Sequence, residues 1–207
     1  AAQAAGIAVP INGSLSGEHV TELARLSGAR VLIAAAPELD PAGVQHAADL
    51  AAAGLSRVNV SLDSLQPRTY RAVTGAKEGD MERVLAGIDA ALDARLAPLK
   101  LNVVVLKDNE GEIPEMIEFS RRKGLILQLI ELLDLRGLDV SGDIDAIERR
   151  LAAAADGIRE REMHRRKKYF LDGAEVEVVR PMDNTQFCAN CTRLRVTSDG
   201  KIKPCLL

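Results

Sequence analysis

Residues 99–134, LKLNVVVLKDNEGEIPEMIEFSRRKGLILQLIELLD, place a helix-forming segment between two apolar runs. The runs 99–106 and 125–134 are rich in Val, Leu and Ile, and they predict buried β-strands. The segment 111–124 between them predicts a helix. Alternation of strand and helix is typical of βαβ units and a parallel sheet, so this stretch predicts an α/β fold.

The same alternation extends toward the N-terminus. Strand-like runs occupy 29–36 and 56–64, and helix-period segments occupy 41–54 and 80–96, the latter with Asp80 as the expected N-cap. The apolar runs are nearly continuous, which favours strands that are covered on both faces. Whether the sheet is open or curls into a barrel does not follow from this periodicity.

Polar residues follow the predicted strands. In α/β folds of either shape the active edge lies at the carboxyl ends of the strands, so we expect a site there. The residues at these ends are Ser61, Asp63, Lys107, Asp108, Glu131 and Asp134.

The pattern changes near residue 137. Residues 140–157 predict a helix capped by Ser141 or Asp143. Residues 159–180 alternate at period two around Asp172-Gly173, which predicts a β-hairpin. We therefore predict two units, a βα unit over 1–137 and a smaller C-terminal module over 138–207.

Composition excludes several classes of protein. A net charge of −3 gives no electrostatic case for nucleic acid or an anionic membrane, and 2% aromatic residues argue against a surface that stacks bases. No run reaches the roughly eighteen apolar residues of a membrane span, and no signal peptide is evident. Because residue 1 is Ala rather than Met, we expect the chain to begin inside a longer protein.

All three cysteines lie close together, at Cys188, Cys191 and Cys205. An odd, clustered set predicts metal ligation in a reducing cytoplasm rather than a disulfide framework. Structural zinc needs a fourth ligand, and the nearest histidine is His164. Three thiolates with an open position suit an iron–sulfur cluster, but zinc and free thiols remain alternatives.

Two arginines, Arg193 and Arg195, flank Leu194 in a short predicted strand. At period two both guanidinium groups face the same side, which suits a polyphosphate close to the metal. A solvated strand face is the alternative. The basic run 164–168 is typical of a solvated face, although it also suits attraction of an anionic substrate.

Four stretches of the sequence are informative together: RVNVSLDSL, LKLNVVVLKD, LILQLIEL and EVEVVRPMDNTQFCANCTRLRVTSDGKIKPCLL. They resemble the GTP 3′,8-cyclase family, radical S-adenosylmethionine enzymes of molybdenum cofactor biosynthesis, and especially its archaeal branch. The similarity is dense over 54–207 and loose over 1–53. It implies a partial (β/α) barrel that is N-terminally incomplete, followed by a small iron–sulfur module.

The resemblance also implies roles for particular residues. Cys188, Cys191 and Cys205 would ligate a [4Fe–4S] cluster whose open iron binds GTP. GTP would be contacted by Lys100, Arg193, Leu194 and Arg195. S-adenosylmethionine would be contacted by Ser61 and Leu133. In the family, GTP becomes (8S)-3′,8-cyclo-7,8-dihydroguanosine 5′-triphosphate, and cyclic pyranopterin monophosphate synthase acts next.

The sequence departs from that family in four respects. It has no Cys-x3-Cys-x2-Cys motif for the first cluster, only NGSL (12–15) where a GGEP stretch is expected, and AAAP (34–37) where the family has Thr-Thr-Asn-Gly. It also stops at Leu207, before the family's C-terminal tail. We therefore expect S-adenosylmethionine to bind only with a separate N-terminal part. We also expect either a homodimer or pairing with that part.

Overall fold

The computed structural model describes residues 7–8, 31–34, 43–132, 137–160, 166–180, 194–196 and 202–203. The strands there are β1 (Ile7–Ala8), β2 (Val31–Ala34), β3 (Arg57–Ser61), β4 (Lys100–Val105), β5 (Ile126–Glu131), β6 (Gly157–Glu160), β7 (Lys167–Leu171), β8 (Ala174–Val179), β9 (Leu194–Val196) and β10 (Ile202–Lys203). The helices are α1 (Gly43–Ala52), α2 (Pro67–Thr74), α3 (Asp80–Asp93), α4 (Ile113–Lys123) and α5 (Ile144–Ala154), with a 3-10 turn (Glu110–Glu112) before α4.

Seven strands form one mixed sheet in the order β2-β3-β4-β5-β8-β7-β6. The first five of these are mutually parallel, and β7 and β6 join antiparallel. The predicted α/β fold with a parallel sheet is confirmed. In the described part of the chain the sheet is open, because β2 and β6 each pair with one neighbour.

The hairpin predicted at Asp172-Gly173 is also confirmed. Both residues have positive φ, 44° and 83°, and they connect β7 to its antiparallel partner β8. Strand β8 then pairs in parallel with β5, so residues on both sides of the predicted division at 137 share one sheet. The division into two units itself stays a prediction.

The helix caps agree with the sequence in one case and differ in another. Asp143 caps α5 as predicted, with its Oδ1 accepting a hydrogen bond from the Ala146 N–H at 2.8 Å. The prediction that Asp80 is an N-cap is wrong, because Gly79 holds that position with φ of 84°. The Asp80 carboxylate instead accepts the backbone N–H of Lys77 at 2.7 Å.

The two faces of the large sheet differ in character. One face, which we call the apolar face, presents side chains that are at most 1% exposed in a row across five strands: Val60, Leu101, Leu127, Val176 and Tyr169. These residues belong to the core cluster, which also includes side chains of all five helices. Every second residue of β3 and β4 is buried and the others are partly or fully exposed, so the prediction of strands covered on both faces is wrong for these two.

Polar residues at alternating positions explain that difference, since Asn59 and Ser61 in β3 and Lys100 and Asn102 in β4 face away from the core. Within the described residues, no helix combines the length and the apolar character that crossing a membrane requires.

Candidate active site

The second face of the large sheet, which we call the polar face, carries hydrophilic side chains in register across five strands. Ser61 of β3 lies opposite Asn102 of β4, and Asn102 lies opposite Gln128 of β5. Gln128 lies opposite Glu177 of β8, which in turn lies opposite Lys168 of β7. Because residues paired in register share a face, these side chains form one row.

Lys100 lies on the same face, two residues before Asn102. Its ammonium Nζ is 2.9 Å from both carboxylate oxygens of Glu177. The Glu177 side chain is fully buried, whereas that of Lys100 is 12% exposed. Lys100, which we predicted as a GTP contact, is therefore held against a buried carboxylate near the middle of the sheet.

Further donors surround the Glu177 carboxylate. Lys168 Nζ lies 3.3 Å from Oε1, Arg166 Nη1 lies 4.0 Å from Oε2, and the Gln128 amide donates a hydrogen bond to Oε2. Lys168 also pairs with Glu175, which precedes Glu177 by two residues. In this described cluster three cations, Lys100, Lys168 and Arg166, lie beside the carboxylates of Glu175 and Glu177.

Asn102 has a polar atom without a partner among the described residues. Its Oδ1 is buried and accepts no hydrogen bond there. The residue opposite it is Ser61, our predicted S-adenosylmethionine contact. Buried acceptors in native proteins are nearly always satisfied, so this atom indicates a place where a ligand donor or water binds.

Asp63 and its neighbours at the carboxyl edge have a structural role. Asp63 Oδ1 accepts the Val104 N–H at 2.8 Å, and burial raises the pKa of this carboxyl while that hydrogen bond lowers it in part. The buried Asn109 amide donates to the carbonyl oxygens of Asp63 and Val104, at 2.7 and 2.9 Å. Asn109 thereby ties the ends of β3 and β4 together. Sequence reasoning missed it, although an Asn just after a strand is a common turn signal.

The remaining polar residues predicted at this edge do not converge. Lys107 pairs with the exposed Asp139 at 2.9 Å, and Asp108 is exposed. Glu131 lies 3.7 Å from Arg180. Asp134 lies outside the described residues, so its place in the edge stays a prediction.

Arg180, at the end of β8, joins the sheet to α5. Its guanidinium contacts Glu148 at 2.8 Å and Asp145 at 2.6 Å, and the Tyr169 hydroxyl donates to Glu148 at 2.6 Å. Burial raises the pKa of Glu148, but the hydrogen bonds from Tyr169 and Arg180, together with nearby positive charge, lower it overall. This cluster was not predicted, because its members are far apart in the sequence.

Several predicted site residues lie outside the described part of the chain: Leu133, His164, Cys188, Cys191, Arg193 and Cys205. The backbone of Leu194 and Arg195 is described, and it forms the predicted short strand β9. Strand β9 pairs in parallel with β1 and antiparallel with β10. Among the described residues, no three His, Cys, Asp or Glu side chains are placed to hold a metal ion.

Two models of known families match the chain. The model of the radical SAM superfamily matches residues 13–120, more than half of the 207 residues. The chain belongs to the radical SAM superfamily. Membership implies a [4Fe–4S] cluster and S-adenosylmethionine as cofactors of the family. A second model, Molybdenum Cofactor Synthesis C, matches residues 126–207 and thus the part of this radical SAM protein that contains the cysteines.

Similar curated proteins are named probable GTP 3′,8-cyclase. The Methanosarcina mazei protein is 54% identical over 168 residues, which are 79% of this chain and 50% of the relative. The Methanothermobacter thermautotrophicus protein is 54% identical over 170 residues, 78% of this chain and 55% of the relative. The Thermococcus kodakarensis protein is 52% identical, over 76% of this chain and 54% of the relative. The chain spans about half the length of the curated relatives it matches.

Proposed function

We propose that this radical SAM chain forms the GTP-binding part of a GTP 3′,8-cyclase, a cytoplasmic lyase of molybdenum cofactor biosynthesis. The observation that carries the proposal is the polar face with Lys100 at its centre, in a chain about half identical to probable GTP 3′,8-cyclases. A lysine ammonium with two further cations, Lys168 and Arg166, close to it suits the phosphates of a nucleotide. The reaction would convert GTP to (8S)-3′,8-cyclo-7,8-dihydroguanosine 5′-triphosphate, which cyclic pyranopterin monophosphate synthase would use next.

Cys188, Cys191 and Cys205 would hold the substrate-side [4Fe–4S] cluster. Three thiolates leave one iron of such a cluster without a protein ligand, and residues 188–207 contain no histidine to fill it. When bound, the cluster would supply a Lewis-acidic iron to which GTP coordinates. Arg193 and Arg195 would bind the triphosphate, with Leu194 against the same substrate.

Ser61 and Leu133 would contact S-adenosylmethionine. The buried acceptor Asn102 Oδ1, opposite Ser61, supports a ligand with a hydrogen-bond donor at this place on the polar face. The residues present do not fit the family's first cluster, because all three cysteines lie within 188–205. We propose that an N-terminal part with the Cys-x3-Cys-x2-Cys motif completes the enzyme, since a second copy of residues 1–207 would not supply that motif.

Anaerobic reconstitution tests the metal assignment. We expect a broad visible thiolate-to-iron absorbance and about four irons per chain. Replacing any one of the three cysteines with Ala should remove most of the iron. Stoichiometric zinc without iron would exclude the cluster.

Calorimetry with GTP, and with GMP as the control that lacks the outer phosphates, tests the substrate. Arg195→Ala should weaken GTP binding about tenfold, and Arg195→Lys should recover it only in part, because an ammonium lacks the planar fork. Equal affinity for GTP and GMP would show that the arginines form only a solvated face.

A second candidate is a GTP- and cluster-binding relative without catalysis, since residues 1–207 contain the three clustered cysteines and the paired arginines but no Cys-x3-Cys-x2-Cys motif. It predicts GTP binding without release of 5′-deoxyadenosine from S-adenosylmethionine under reducing conditions, even beside a cluster-bearing partner. For the C-terminal module over 138–207, a zinc ion bound by the cysteines is the alternative to the iron–sulfur cluster.

A further inference from the structure

Glu177 is buried more completely than any other charged residue that the structure describes, with a relative exposure of 0%. A buried carboxylate is costly unless cations and hydrogen-bond donors compensate it. It lies on the polar face rather than among the ion pairs of the surface. Such a residue needs an explanation beyond sheet pairing, since its neighbours Val176 and Val178 already pack in the core.

The donors around Glu177 are arranged unequally. Lys100 Nζ contacts both carboxylate oxygens at 2.9 Å. Lys168 Nζ, from the neighbouring strand β7, lies 3.3 Å from Oε1, and Arg166 Nη1 lies 4.0 Å from Oε2. If Lys100 turns toward another anion, Lys168, Arg166 and the Gln128 amide remain beside the carboxylate. Glu177 therefore holds Lys100 in place, and Lys100 can bind a ligand anion while other donors still neutralise the charge of the buried carboxylate.

We propose that Glu177 is the positioning residue for Lys100, fixing its ammonium on the polar face where the phosphates of the substrate bind. This inference rests on the proposed function and adds a residue to it. The same division of roles is known in protein kinases, where a phosphate-binding lysine works only when a glutamate ion pair is in place. Lys168 and Arg166 serve here as the counter-charges that make the exchange possible.

The direction in which Glu177→Gln changes GTP affinity separates a positioning role from a simple charge effect. Glu177→Gln removes a negative charge beside the phosphate site, which by charge alone would strengthen binding of GTP. If Glu177 positions Lys100, the same substitution weakens GTP binding about tenfold, the effect expected from losing one charge-assisted contact. Binding of GMP, which lacks the outer phosphates, should change less. Calorimetry on the reconstituted full chain gives both affinities, and GTP affinity equal to or above wild type would overturn the proposal.

Glu175→Gln is the matched control. Glu175 lies on the same strand and face and pairs with Lys168 rather than holding Lys100 by two hydrogen bonds. Its loss should leave GTP affinity unchanged or slightly higher. A loss as large as that of Glu177→Gln would assign the effect to general charge or stability, against the proposal.

Glu177→Asp keeps the test decisive if Glu177→Gln does not fold. It retains the charge but is one methylene shorter, so GTP affinity should fall between the wild-type and Gln values, with GMP affinity nearly unchanged. Wild-type GTP affinity in a folded Asp variant would contradict a positioning role.

A readout without GTP separates this inference from the proposed function. Acetic anhydride labelling, followed by mass spectrometry of each lysine, reports how firmly each ammonium is held. Lys100 should be labelled faster in Glu177→Gln than in wild type, while Lys107 is labelled equally in both. If wild type binds no GTP, the proposed substrate fails, yet faster Lys100 labelling still supports Glu177 as its anchor. An unchanged Lys100 rate overturns that anchor whatever GTP does.

Discussion

The apolar and polar faces of the sheet are built from adjacent residues of the same strands. Leu101 packs in the core, while Asn102, the next residue, has a buried oxygen that finds no hydrogen-bond partner in the described part of the chain. Val176 is fully buried among apolar side chains, whereas Glu177 is fully buried among cations. Burial alone therefore does not separate core from site; the chemistry of the buried atoms does.

This difference indicates which face holds the sheet together and which face is available to a ligand. Each apolar side chain that the apolar face removes from water stabilises the folded state. The polar face carries a buried charged pair, and also an acceptor that has no partner among the residues described; such groups contribute little to folding. We therefore expect substitutions on the two faces to act on different measurements.

The largest expected effect is on the apolar face. Leu101→Ala should lower the free energy of unfolding by about 2–5 kcal/mol, because a fully buried side chain leaves a cavity. Asn102→Ala, on the same strand but the other face, is the control and should cost far less. Urea denaturation of both variants measures the contrast, and equal losses would show that the two faces are not distinct.

Lys100→Met should act on binding more than on folding. We expect GTP affinity to fall about tenfold, equal to about 1.4 kcal/mol. In this variant the Glu177 carboxylate retains its hydrogen bond from the Gln128 amide and its ion pair with Lys168. The free energy of unfolding should therefore fall less than in Leu101→Ala. Lys107→Met removes a 53% exposed lysine instead and should leave GTP affinity unchanged. Unaltered GTP binding in Lys100→Met would remove Lys100 from the site.

A smaller effect concerns the one polar atom in the apolar row, the Tyr169 hydroxyl, which bonds to Glu148. The pKa of Glu148 is lowered in the folded protein, so its stabilisation is present above its ordinary value of 4.5 and is lost as pH falls through the folded-state pKa. Glu148→Gln should cost about 1 kcal/mol at pH 7. The difference from wild type should shrink in acid. A constant difference from neutral pH to pH 3, in urea denaturation, would argue against this assignment.

The smallest expected effect is at Asp63, two residues beyond Ser61. Burial raises the pKa of Asp63 above its ordinary 3.8, so ionisation opposes folding increasingly as pH rises through that range. Asp63→Asn keeps an oxygen for the Val104 N–H and should change stability at neutral pH by less than about 1 kcal/mol, in the stabilising direction. Asp63→Leu lacks the acceptor and should be clearly destabilising. Thermal unfolding of the two variants distinguishes these outcomes.

The sequence predicted the elements better than the contacts between them. Strands β3 to β5 and the hairpin followed from apolar runs and from Asp172-Gly173, because these signals are local. The ion pair of Lys100 and Glu177 did not, since its members are 77 positions apart. The alternation in residues 174–179 indicates a strand with one polar face. Only the order of the strands shows which cationic side chains pair with the carboxylates on that face.

Spacing pointed to the cysteines, Arg193 and Arg195 before the resemblance assigned them to GTP, whereas Lys100 and Leu194 followed from the resemblance alone. The cysteines and Arg193 lie outside the described residues, so their roles stay proposals. Single polar residues such as Ser61 interrupt the apolar runs of β3 and β4, and they are the sequence signal that only one face of these strands is buried.

The pairing of β1 with β9 has a consequence for biosynthesis. Ile7 lies opposite Leu194, so this small sheet joins segments that are far apart in the sequence. Contacts this distant in sequence carry the greatest loop-closure entropy and form late, whereas successive βα units form from nearer neighbours. On the ribosome the large sheet is therefore able to assemble before β9 emerges. The cluster proposed on Cys188, Cys191 and Cys205 would then form only after the strands of the large sheet have been synthesised, because the last of them, β8, ends at Val179.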